Sequence, residues 1–98
     1  MVKFNRTQKF TKENINKIPE NKAVVYKIKN TAGKNLYTGI AGRGRGQDRL
    51  LEHKDLKGEK IPGGTRFQYD QAKNKDRAEQ IERQIIAKEQ PEFNEQNK

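Results

Sequence analysis

The chain has 98 residues, of which 30% are hydrophobic, with no cysteine, a single histidine and a formal charge of +9 at a pI near 9.9. That size allows one domain with a small core; the missing cysteines exclude disulfides, thiol catalysis and thiolate metal sites, and one histidine excludes a His-rich zinc cluster. Residues 1–60 carry 15 basic and 6 acidic side chains while residues 61–98 carry 7 of each, so the excess charge sits where it can neutralise a polyanion, and nucleic acid is the first candidate partner. A basic balance also suits solubility or ribosome association, so the site has to decide between them. No run of about 20 apolar residues is present to span a bilayer, and the N-terminus lacks the apolar stretch of a signal peptide. The expectation is a soluble, cytoplasmic single domain over 1–98, with an N-terminal arm at 1–10 and a core over 22–94.

The arm, MVKFNRTQKF, shows no sustained period and is expected to be pinned by Phe4 or Phe10. Thr11 opens a short helix with Ile15 and Ile18 on one face and Pro19 as its stop. Over 23–29, Val24, Tyr26 and Ile28 alternate with Val25, Lys27 and Lys29, which predicts a strand. NTAGK follows as a turn in which Gly33 supplies a positive φ, and 36–40 returns as the second strand of a hairpin, with Tyr26 and Tyr37 opposite or nearly opposite. GRGRG at 42–46 is predicted to be an irregular loop carrying Arg43 and Arg45; it lacks the GxxxxGK[ST] spacing of a nucleoside-triphosphate loop. Residues 47–56 read as a helix with Arg49 and His53 on one face. LKGEKIPGG is a connector, 65–69 a third strand, and a loop through Asn74 leads to the last helix, where Asp76 and Glu79 have capping-box spacing. Pro91 stops that helix near Gln90, leaving a tail with Phe93 and Asn94.

On the last helix, Ala78, Ile81, Ile85 and Ile86 span an arc that contains Glu82. A carboxylate turned toward the core needs a cation, either a neighbouring Lys or Arg or a hard metal ion such as Mg²⁺, since oxygen ligation is the only metal chemistry this composition permits. Tyr26 and Tyr37 are individually at home in strands as packing residues, Arg49 as a solvated charge, and His53 as either a surface or a proton-transfer group. Their order and spacing are what single them out.

VVY, then LYTG, then Arg49 and His53 four apart, then Glu82, then Pro91 and FN is an ordered set that resembles the GIY-YIG nuclease superfamily over roughly 22–94. By that resemblance Tyr26 and Tyr37 match the two signature tyrosines, and Gly39 the signature glycine that would keep a strand edge open to substrate. Arg49 matches the catalytic arginine that holds the scissile phosphate, His53 a His or Tyr position, Glu82 the metal-binding glutamate, and Asn94 a site-supporting asparagine. The implied chemistry is phosphodiester hydrolysis by a tyrosine-assisted water with one divalent ion, Mg²⁺ or Mn²⁺. Ile40 stands where several relatives carry lysine, and Arg43 or Arg45 is a candidate substitute.

The expected fold is α+β: a three-stranded antiparallel sheet flanked by helices, GIY-YIG-like, with the tyrosines and Arg49 facing Glu82 across it. The expected function is a metal-dependent endonuclease acting on nucleic acid, DNA ahead of RNA, with Arg43, Arg45 and Lys54 on the phosphate backbone. Its alternative is a non-cleaving nucleic-acid-binding module on the same scaffold; a structural basic protein accounts for the charge but not for Glu82 or the tyrosine pair.

Overall fold

A computed structural model describes residues 6–55, 61 and 63–94, the side chains of residues 54 and 55 excepted. Phe4, Leu56, the Lys54 side chain and most of the connector lie outside that set. The elements run β1 (Gln8–Lys9), α1 (Lys12–Ile15), β2 (Ala23–Lys29), β3 (Asn35–Ala41), α2 (Gly46–Asp55), β4 (Arg66–Ala72) and α3 (Lys75–Glu89). The strands form one antiparallel sheet in the order β1-β4-β2-β3. The class is therefore α+β as expected, but the sheet has four strands rather than three.

The added strand comes from the arm. Gln8 and Lys9 pair with Phe67 and Arg66, and the Phe10 N–H donates to the Thr65 carbonyl at 2.9 Å. Phe10 packs its ring 5.8 Å from that of Phe67, so the arm is held by backbone pairing as well as by an aromatic contact. A two-residue strand is too short to show an alternating pattern, which is why the sequence does not announce it.

β2 is paired on both sides and buried on both faces. Val24, Tyr26 and Ile28 face a cluster built with Phe10, Ile15 of α1, Leu50 of α2 and Phe67. Ala23 and Val25 face a second cluster with Ala72, and with Ala78 and Ile81 of α3. The helices thus divide between the two faces. Burying one such Ile or Leu side chain stabilises by about 1.5–3 kcal/mol, and a domain's net stability is only about 5–15 kcal/mol, so each member of these small clusters matters.

Local chemistry sets the helix ends. Thr11 caps α1 by accepting from the Asn14 N–H at 3.2 Å. Gln47 of α2 donates to the carbonyls of Asn16 and Ile18 at 3.1 and 2.8 Å, tying the two helices together just past the end of α1. The predicted loop over 42–46 is shorter than expected, because Gly46 already belongs to α2 and packs tightly on Val24 and Ile18: a Cβ there would lie 3.3 Å from Val24 Cγ2. At α3 the capping box at Asp76 is not formed. Asn74 is the N-cap, its side chain accepting from the Arg77 N–H at 2.8 Å, and Asp76 instead sits in the first turn, where a negative charge suits the helix dipole. The helix closes at Gln90, in the left-handed region at φ 48, and its N–H reaches the Ile86 carbonyl at 2.8 Å.

Candidate active site

The hairpin places the two tyrosines on one face, though not directly opposite. Tyr26 pairs with Gly39 and Tyr37 with Ile28, displaced by an irregularity at Ile28 and Lys29. The phenol rings are diagonal neighbours with centroids 6.3 Å apart. Tyr26 lies over Gly39 so closely that a Cβ on residue 39 would fall 2.6 Å from the Tyr26 hydroxyl and 2.9 Å from Tyr37 Cε2. Gly39 is buried, and its missing side chain makes room for the Tyr26 ring.

α2 supplies the next layer. Leu50 and His53 point inward together, and His53 is only 3% exposed, which removes the surface reading of that histidine. Its Nε2 lies 2.9 Å from the Tyr26 hydroxyl, and its ring centroid is 5.7 Å from that of Tyr26 and 4.8 Å from that of Tyr37. Burial pushes the Tyr26 phenol far above the ordinary tyrosine range and Tyr37 adds to the effect, while the charge and hydrogen bonding of Arg49 pull it back. Tyr26 is therefore a neutral phenol under ordinary conditions. Arg49 is also held by Glu52, three residues on, at 2.9 Å.

Glu82 is reached differently. α3 packs on the opposite face of the sheet from α2, so the sheet lies between Glu82 and the tyrosines, and residues of both helices meet at the end of the edge strand β3. Glu82 is half-buried and forms no hydrogen bond or ion pair with a described residue. Burial raises its carboxyl above the usual range, Glu79 raises it further, and Arg83 opposes them. Its charge is the weakest of the influences that act on the Tyr26 phenol. Beside the β3 edge runs a cleft of about 320 Å³ lined by Ile40, Ala41, Gly42, Arg45, Arg49, Lys75 and Glu79. Arg45 is thus next to Ile40, whereas Arg43 is an exposed turn residue. Ile40 itself packs on the cluster under α3.

Asn94 holds the outer side of the same strand. Its Oδ1 accepts from the Thr38 N–H and its Nδ2 donates to the Thr38 carbonyl, both at 2.8 Å, and the Phe93 N–H donates to the Leu36 carbonyl at 2.9 Å. The side chain of one asparagine does the work of a neighbouring strand one residue before Gly39. Sequence reading passed over the partners behind it: Asn35 donates to Thr38 Oγ1 at 2.8 Å and to Glu89 at 2.9 Å, and Lys27 bonds Glu89 at 2.9 Å. It also passed over Lys75 and Glu79 as lining residues, and over Glu52, whose spacing from Arg49 was the one available signal.

A hard divalent ion fits this donor set in a limited way. Glu82 is a partly desolvated oxygen donor with no hydrogen bond or ion pair among the described residues, one turn from Glu79, which lines the cleft. No group of three or more His, Asp or Glu able to hold a metal occurs among the described residues. Mg²⁺, which keeps several waters and binds through one or two carboxylates and substrate phosphate, is the ion such a site suits. Among the described residues no helix is long and apolar enough to cross a membrane. The chain matches no family model and no curated protein.

Proposed function

We propose that the protein is a metal-dependent endonuclease of the GIY-YIG type, hydrolysing phosphodiester bonds in nucleic acid. The observation that carries this reading is the packing of Tyr26, Tyr37 and His53, with Gly39 beneath and Arg49 alongside, into one cluster in which Tyr26 and His53 are hydrogen-bonded. These are the residues whose order resembles that superfamily.

The Tyr26 hydroxyl and His53 Nε2 share a hydrogen bond at 2.9 Å, and the Arg49 guanidinium acts on the same phenol. Tyr26 in this arrangement orients His53 and Arg49 and does not act as a base. Tyr37, half-buried beside His53, is the hydroxyl that can contact an attacking water. Arg49 stabilises charge that grows on the phosphate oxygens. Glu82 would hold the ion, which when bound would supply Lewis-acid polarisation of the phosphate.

The Arg49–Glu52 ion pair favours a second reading, a binding module without cleavage, because it partly neutralises the arginine before substrate arrives. Incubating the protein with labelled single- and double-stranded DNA and RNA, in Mg²⁺ and in EDTA, separates the two. Cleavage that EDTA abolishes is expected; retention of every probe uncut by folded protein at saturating Mg²⁺ would leave only the binding module.

A further inference from the structure

The cleft beside β3 carries chemistry that the tyrosine cluster does not use. Thr38 turns both its N–H and its carbonyl outward to Asn94. Backbone groups in an antiparallel strand alternate sides, so Ile40, two residues on, also directs its N–H and carbonyl outward, past the end of the asparagine clamp. Ile40 lines the cleft, and its N–H donates to no described residue outside the sheet. Around it stand three cations, Arg45, Arg49 and Lys75, against one carboxylate, Glu79. Arg45 and Lys75 are exposed and form no salt bridge with a described residue. Arg45 closes the first turn of α2, its carbonyl accepting from the Arg49 N–H at 3.0 Å, and Lys75 is the first residue of α3. The positive ends of both helix dipoles therefore lie on the cleft and add to the side-chain charge.

We propose that this cleft holds a second phosphate of the nucleic-acid strand, adjacent to the one at Arg49, with Lys75 and Arg45 as its cationic grip and the Ile40 N–H as its directional donor. The inference rests on the nuclease reading for the identity of the strand and extends it to Lys75 and the Ile40 N–H, which that reading does not assign. Arg45 and Arg49 are about 6 Å apart along α2, of the order of the step between consecutive phosphates along one strand. Lys75 and Arg45 are positioning residues: they fix where the strand lies and leave the reacting phosphate to Arg49.

The test is to titrate isotope-labelled protein, by amide NMR, with inorganic phosphate and with a short oligothymidylate, in parallel with the Lys75→Ala and Lys75→Glu variants. Lys75 is exposed, and a glutamate at that helix position suits the dipole, so both variants keep the fold. The amide signals of Ile40, Gly42 and Lys75 should move together in the wild-type protein. Loss of one phosphate contact should weaken oligothymidylate binding about fivefold near 0.1 M salt and reduce the salt slope by roughly 0.7. In cleavage assays KM should rise with kcat unchanged. Ile40 and Lys75 signals that stay fixed while others shift, or a Lys75→Glu variant that binds like wild type, overturn the site. Binding at the cleft without cleavage of any probe removes the nuclease reading and leaves the site standing; cleavage with KM indifferent to Lys75 does the reverse.

Discussion

Gly39 and Tyr26 set the tolerance of the candidate site to change. A methyl group on residue 39 would sit 2.7 Å from Tyr26 Cζ, so Gly39→Ala must expel the ring or shift the strand. Overpacking of this kind costs about 1–3 kcal/mol, and the variant should melt earlier and show an altered His53 signal by NMR. Tyr26→Phe keeps the ring but leaves the buried His53 Nε2 without its partner, at about 1–3 kcal/mol. Glu82 should respond in the opposite direction. Because its folded carboxyl titrates above the unfolded one, stability falls as pH rises from the ordinary glutamate range through the folded value. Glu82→Gln should flatten that slope, raise the melting temperature at neutral pH, and abolish Mg²⁺-dependent cleavage. A destabilised variant that still cuts would remove Glu82 from the metal.

At the scale of the elements, α3 is fastened at its C-terminal end. Burial pushes the Glu89 carboxyl up, but the bonds from Lys27 and Asn35 and the charges of Lys27 and Lys29 outweigh it and hold the group below its usual range. Its contribution is thus complete above the ordinary glutamate range and lost as pH falls through the lower folded value, and Glu89→Gln should shorten the acid limb of a stability profile. The hairpin β2–β3 was legible in the sequence because β-branched and aromatic residues alternate on both sides of a glycine turn. β1 was not, since two residues carry no period, and the cap of α3 was misassigned because Asn74 and Asp76 both offer a side-chain acceptor and only the actual helix start selects one. The tyrosines, Arg49 and His53 could be singled out by their spacing. Lys75, Glu79 and the Lys27–Glu89–Asn35 group could not, because which helix lies on which face of the sheet is a matter of topology that local pattern does not encode.

For the molecule as a whole, the two faces of the sheet carry different groups: one the aromatic and imidazole side chains, the other α3 with its carboxylates, and residues of both sides line the cleft at β3. Binding to duplex DNA should fall with salt at about −0.9 per phosphate contact, and replacing both Arg43 and Arg45 should flatten that dependence. Affinity that is insensitive to salt between low and moderate ionic strength would place the strand away from this cleft. The clamp at Thr38 also fixes an order of events in time. Its partner Asn94 lies 56 residues further along the chain, so on a ribosome the edge strand emerges long before the group that finishes it. Contacts of such sequence separation are slow to close. Until Asn94 is free of the exit tunnel, the nascent hairpin carries an unfinished rim, open to pairing with a neighbouring nascent chain, and the strand bearing Gly39 is the last part of the sheet to be secured.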